Sequence, residues 1–330
     1  MSRFQIEPFR PAIGLGNNHV QTVLATRWPA SRDIAFERVR IDTPDGDFID
    51  LDLPRLAGID LPANAPVVLL LHGLEGNARR PYALDLYDHL ARHGVRSVGM
   101  NYRSCSGEMN RRARSYHAGA TDDVLLVHGW LDERFPGAAK GMVGVSLGGN
   151  MLLKYLGERG GEAAIRLRAA ATISAPFDLA LGAAHMAHGL PRLYATRFLR
   201  RIQAKLRAKA DLVRPHINLE RALAAETLYE LDDASTAPLH GFASADDYYA
   251  RASSRRYLAG IQVPTLLVRA KDDPLIPSED IPDELLQNNQ ALAPAITGRG
   301  GHVGWIESAP RGWRLWAGRQ AAAFLAGYLR

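Results

Sequence analysis

The stretch Gly144-Val145-Ser146-Leu147-Gly148-Gly149 constrains this chain more than any other. An apolar, strand-like run, Gly141-Met142-Val143-Gly144-Val145, leads into it, and a helical run from Asn150 to Leu156 leads out. A strand, a sharp turn and a helix leave the serine side chain no place in the core, so Oγ stands above the sheet edge. Gly144 and Gly148 suit a crossing too tight for any side chain. Free N–H groups and the positive dipole end of the following helix favour an oxyanion beside the serine. Ser146 is therefore a candidate nucleophile, and the rest of the chain should supply a base, an acid to orient it and a second N–H donor.

The chain around this turn alternates strands with helices. Val67-Val68-Leu69-Leu70-Leu71 is a continuous apolar run, as expected of a strand buried on both faces. A helix over Pro81–His93 follows, then a strand over Val95–Tyr102, a loop with Arg103, Arg111, Arg112 and Arg114, and a helix over Gly119–Phe135. Beyond the elbow, strands are expected at Arg168–Ser174, Val263–Ala270 and Ala295–Thr297, and a closing amphipathic helix at Arg311–Leu329. Alternation of this kind implies a doubly wound, mostly parallel sheet with right-handed crossovers. Upstream, a short helix is expected near Val20–Leu24. Ile34–Ile41 and Phe48–Leu53 read as a hairpin about Thr43-Pro44-Asp45-Gly46-Asp47. Asp50 and Asp52 fall at period two, which places them on a solvated face rather than in a metal site. Residues 178–257 are arginine-rich and helical with no strand-like run, an insertion that lids the sheet within a single domain spanning 1–330.

Composition narrows the function. With 330 residues, 47% of them apolar, the chain can bury a large core. A net charge of +5 from 40 basic and 35 acidic residues is too small an excess to argue for nucleic acid. The one cysteine, Cys105, allows no internal disulfide and suits a reducing, cytoplasmic setting. No apolar leader opens the sequence, and no run approaches the ~20 apolar residues that span a bilayer. The histidine spacings match no metal motif, so neither a metal nor a cofactor is expected.

Among eleven histidines, His302 alone follows the last strand in a glycine-rich loop, Gly300-Gly301-His302, that lets an imidazole reach over the sheet edge. Asp272 and Asp273 follow the penultimate strand, at the carboxyl end where doubly wound sheets place their sites. Either could orient the base. Asp273 is favoured, leaving Asp272 to cap a turn or pair locally. The backbone N–H of Leu147 and that of Leu74, in the loop His72-Gly73-Leu74, are the expected oxyanion donors. His72 reads as a loop-shaping residue and Cys105 as a packed thiol. The order Ser…Asp…His is that of α/β-hydrolases.

The elbow, together with Asn18-His19-Val20-Gln21-Thr22, His72-Gly73-Leu74-Glu75-Gly76, Cys105-Ser106-Gly107-Glu108, Tyr116-His117-Ala118-Gly119, Asp272-Asp273-Pro274 and Gly301-His302-Val303-Gly304, resembles the YheT-type branch of the α/β-hydrolase superfamily. That branch is similar to the mammalian α/β-hydrolase-domain lipases and to the yeast enzymes that make and cleave medium-chain ethyl esters. The resemblance implies an α/β-hydrolase fold and a cofactor-free serine esterase or acyltransferase, and it supports Ser146, Asp273 and His302. Ser104 departs from the pattern, which has glycine there.

Three functions fit this reading. The first is a hydrolase of short- to medium-chain acyl esters working through an acyl-enzyme. The second is alcohol O-acyl transfer by the same triad, and the third a non-catalytic binding protein on a hydrolase fold. Within the insertion, Leu193, Phe198, Leu199, Ile202 and Leu206 recur at helical spacing beside Arg192, Arg197, Arg200, Arg201, Lys205, Arg207 and Lys209. Such a helix packs its stripe on the hydrolase core with its arginines solvated, or lines an acyl channel while its cationic face meets anionic membrane surfaces or phosphate-bearing substrates.

Overall fold

The computed structural model describes residues 4–30, 33–310 and 312–330. Its sheet holds β1 (Ile34–Asp42), β2 (Phe48–Leu56), β3 (Val67–Leu71), β4 (Arg96–Asn101), β5 (Lys140–Val145), β6 (Ala169–Ile173), β7 (Thr265–Ala270) and β8 (Leu292–Thr297). The spatial order is β1-β2-β4-β3-β5-β6-β7-β8. The hairpin β1–β2 joins β4 antiparallel, and β4 to β8 are parallel. Alternate residues of β3 serve opposite faces. Val68 and Leu70 pack with Leu86 and Leu90 of α2 (Pro81–Arg92) and with the C-terminal helix Trp316–Leu329. Leu69 and Leu71 pack with Val124 of α3 (Thr121–Arg134) and Leu152 of α4 (Leu147–Arg159). From β3 the chain moves outward to β4, then returns to the other side of β3 as β5. The crevice at the carboxyl ends of β3 and β5 is the switch point where doubly wound sheets bind ligands. Leu71 pairs with Gly144, so the loop after β3 and Ser146 leave the sheet side by side.

Two expectations need correction. Asp50 and Asp52 are buried, not solvated, because β2 is an interior strand paired to both β1 and β4. Arg40 bonds Asp50 at 2.7 Å, and Arg38 and Arg79 bond Asp52 at 2.9 and 2.8 Å. Burial works against ionisation of Asp52, but hydrogen bonds from Arg38, Arg79 and Asn101 outweigh it and hold its carboxyl below the usual range. The closing helix starts at Trp316, not Arg311. Arg311 lies outside the described residues, and Gly312–Leu315 pairs with Ile306–Ala309 as a second, two-stranded sheet. Trp313, which falls inside the expected helix, is 53% exposed on that strand, and Gly312 turns the chain at φ 89°.

The loop after β4 is anchored by a buried cation. The side chain of Arg103 is 1% exposed and bonds Asp123 at 2.8 Å, Asp45 at 3.0 Å and Asp47 at 3.2 Å. Arg103→Met strands two buried carboxylates, and we expect it to cost ~3–5 kcal/mol of stability in denaturant titration. An unchanged midpoint would show the network to be dispensable. Ser104 takes φ 61°, a left-handed conformation that accounts for the glycine expected there. Asn110 holds it, its side chain accepting from the Ser104 N–H while its own N–H donates to Ser104 Oγ.

Between β6 and β7 lie α6 (Leu179–Met186), α7 (Pro191–Ala208) and further helical turns, after the short α5 (Gly161–Arg166) that ends the elbow crossover. The stripe of α7 packs mainly against the other helices between β6 and β7 rather than on the sheet core. Leu199 and Leu206 join Leu219, Leu228 and Leu231 in a separate cluster, whereas Leu193 is 69% exposed. The cationic face divides too. Arg197 and Arg200 are solvated, but Lys205 pairs with Glu75 at 2.8 Å and Lys209 is buried against the Arg114 carbonyl. No helix among the described residues is long and apolar enough to cross a membrane.

Candidate active site

Ser146 is the single residue between the end of β5 and the start of α4, at φ 55° and ψ −123°. A positive φ costs a side-chain-bearing residue free energy, and the surroundings here over-determine it. The Ser146 N–H donates to the Ile173 carbonyl of β6 at 2.8 Å. A Cβ on Gly144 would stand 2.3 Å from the Gly148 carbonyl, and one on Gly148 would stand 2.3 Å from the Leu71 carbonyl. Helix, elbow strand and β3 therefore touch backbone to backbone, which only glycine permits.

The structure brings Ser146, His302 and Asp273 together. His302 Nε2 lies 3.0 Å from Ser146 Oγ, and His302 Nδ1 lies 2.8 Å from Asp273 Oδ2. A carboxylate only accepts, so Nδ1 carries the proton and Nε2 is free to accept from the serine hydroxyl. Asp273 is fully buried. Burial alone would raise its pKa, but the facing His302, the Arg269 guanidinium and the Leu275 N–H hold it below the usual carboxylate range. Oδ1 accepts from the Leu275 and Ile276 N–H groups at 2.8 and 3.2 Å. Asp272 does not face the imidazole. It accepts from the Gly301 N–H at 3.0 Å and so holds the loop that carries His302.

Several supporting residues escaped the sequence reading. Arg269, 1% exposed, donates to Asp273 Oδ2 at 2.8 Å and to the Ile276 carbonyl at 3.0 Å. Its signal was a lone cation in the apolar run Thr265–Ala270. The Asn18–Thr22 motif lies in α1 (Asn18–Ala25), which buttresses the histidine loop. Thr22 Oγ1 accepts from the His302 N–H at 2.9 Å, Asn18 Nδ2 donates to the Asp272 carbonyl at 2.5 Å, and Gln21 Oε1 accepts from the Ile306 N–H at 2.6 Å. Ser174, itself at φ 53°, accepts from the Val303 N–H at 3.1 Å.

Leu74 and Leu147 line the cavity that opens on Ser146 and His302, and neither backbone N–H has a partner among the described residues. Gly73 brings the β3 loop close, since a Cβ there would lie 3.1 Å from Ser146 Cβ. His72 is buried, with Nδ1 donating to the Gly73 carbonyl at 2.8 Å and Nε2 accepting from the Tyr102 N–H at 3.2 Å. Burial pushes its pKa down to about 3, so it stays neutral and shapes the loop. Cys105 is buried beside Lys205, and burial pushes its thiol up to about 11.

A hydrogen-bonded Ser–His–Asp set in chain order Ser…Asp…His on such a sheet is an α/β-hydrolase arrangement, and a model of the alpha/beta hydrolase fold matches residues 66–307. The chain belongs to the α/β-hydrolase family. It belongs to the YheT-type branch: it is 36% identical, over 97% of its length and 94% of the relative's, to YheT of Escherichia coli (strain K12), a candidate esterase by name. It is also 30% identical to phospholipase ABHD3 of Mus musculus, covering 91% of this hydrolase and 74% of that protein. Among solved structures, esterase Pf2001 of Pyrococcus furiosus aligns over 99% of both chains with a TM-score of 0.56 and 15% identity, a likeness of fold.

Proposed function

We propose that this hydrolase cleaves carboxylic esters through an acyl-enzyme on Ser146. The observation that carries the proposal is the 3.0 Å contact between Ser146 Oγ and His302 Nε2, with Nδ1 of the same ring held by Asp273. The hydroxyl proton passes to Nε2 as Oγ attacks the ester carbonyl. The developing oxyanion is stabilised by the N–H groups of Leu74 and Leu147. His302 returns the proton to the alcohol as the C–O bond breaks. Water then repeats the sequence on the acyl-enzyme, releasing the acid and restoring Ser146. The names of relatives agree: a candidate esterase, a phospholipase and, at 28% identity over 79% of this chain, a yeast monoacylglycerol lipase.

The acyl chain has a defined place in this reading. The cavity runs from Ser146 beneath the insertion, between Met186, Phe198, Ile202 and Leu206. Each methylene it buries is worth ~0.8 kcal/mol, about fourfold in kcat/KM. Across a p-nitrophenyl ester series, kcat/KM is expected to climb from acetate until the cavity is full. Ile202→Trp should move the optimum to a shorter chain. A flat series would remove the cavity from the account, and no turnover at any length would overturn the esterase reading.

A further inference from the structure

A second cavity meets the acyl cavity at Ser146 and His302. Its walls come from α1, the loop after β3 and α7, and they carry Arg27, Arg80, Arg197 and Arg201 with no aspartate or glutamate. Building on the esterase reading, we propose that this cavity takes the alcohol part of the ester and selects alcohols that carry a phosphate group.

Charge accounting separates the two cavities. In the acyl cavity, which also carries Glu75 and Asp232, Arg103 is neutralised by Asp45, Asp47 and Asp123 and Lys205 by Glu75, and the one other cation, Lys209, is buried and donates to the Arg114 carbonyl. None of the four arginines of the second cavity has a carboxylate partner among the described residues. Arg80 and Arg201 each donate one N–H to the Glu75 carbonyl, at 2.9 and 3.0 Å, which draws both guanidinium groups to one point. Arg27 and Arg197 make no side-chain hydrogen bond among the described residues and stand exposed at the mouth. Like charges gathered in a cleft repel one another and focus a positive field that attracts an anionic substrate. Guanidinium groups present paired N–H donors that match phosphate oxygens, which ammonium groups do not. The apolar walls of the first cavity hold the acyl chain, so the arm facing the arginines is the leaving alcohol. Its phosphate ester is untouched: the carboxylic C–O bond breaks, and His302 protonates the departing alkoxide.

The test compares two monomeric esters of one acyl chain, 1-hexanoylglycerol 3-phosphate and 1-hexanoylglycerol. At low ionic strength the phosphate ester is expected to have at least about tenfold higher kcat/KM, a gain typical of a focused field. The ratio should fall toward one at about 0.5 M salt, where screening reaches within a few ångströms. Arg27→Gln with Arg197→Gln should bring the ratio near one, whereas Arg200→Gln, on the same helix but outside the cavity, should leave it intact. A ratio near one in the unaltered protein, or one that survives the double change, overturns the proposal. So does an equal gain for methyl adipate, whose anion sits on the acyl arm. Release of fatty acid from phosphatidylglycerol vesicles that depends on the same arginines assigns the phosphate to a lipid headgroup. Turnover of the monomeric ester alone assigns it to a soluble ester, and either result keeps the pocket. If Ser146→Ala retains turnover of both esters, the esterase reading itself has failed, which the ratio alone would not reveal.

Discussion

Asp273→Asn is expected to lose about 10⁴-fold in kcat, the scale seen when a triad carboxylate becomes an amide, and Asp272→Asn far less. The structure explains the asymmetry. Asp273 Oδ2 faces His302 Nδ1 at 2.8 Å, and an amide can turn its NH₂ toward that ring, forcing the proton to Nε2, where it blocks acceptance from the serine. The Asp272 carboxylate accepts from backbone N–H groups of the histidine loop, Gly301 at 3.0 Å among them, and an asparagine carbonyl can do the same. Because Asp273 is also the partner of buried Arg269, kcat is to be read alongside circular dichroism and a melting curve. A folded Asp273→Asn protein with near-normal kcat, beside a crippled Asp272→Asn, would transfer the orienting role to the other carboxylate.

Ser146→Ala has the larger expected effect, about 10⁶-fold in kcat, the scale of nucleophile loss in a serine hydrolase. What remains is the contribution of binding and of the two N–H donors. Stability should change little. The elbow conformation at φ 55° is set by the glycine contacts and the bond to Ile173, neither of which uses the hydroxyl. Loss of the fold would make the variant uninformative about the nucleophile, so the two readouts belong together. Near-normal turnover by folded Ser146→Ala would leave the esterase reading without its nucleophile.

Local and periodic signals carried most of the fold. The elbow announced itself because two glycines, a serine and the flanking apolar runs all sit within one short stretch. The parallel strands showed because burial on both faces leaves continuous apolar runs such as Val67–Leu71. The errors came where a partner distant in sequence changes what a residue means. Asp50 and Asp52 look solvated until Arg40, Arg38 and Arg79 are placed against them. Trp313 looks like the start of an amphipathic helix until its strand pairs with Ile306–Ala309. The supports of the histidine loop were unreadable for the same reason. Thr22 and His302 are far apart in the chain, and no local pattern says that one hydroxyl fixes the other's backbone. The second cavity is an extreme case, since its arginines come from three segments and matter only by lying together.

The measurement that bears most directly on a nucleophilic Ser146 is the intact mass and peptide map of the protein after reaction with a fluorophosphonate. Attack by Oγ expels fluoride and leaves one phosphonyl group on the serine. The account predicts a single adduct on the peptide containing Ser146 and none on Ser146→Ala. An adduct that persists in that variant, or one mapped to another residue of the unaltered protein, would contradict it.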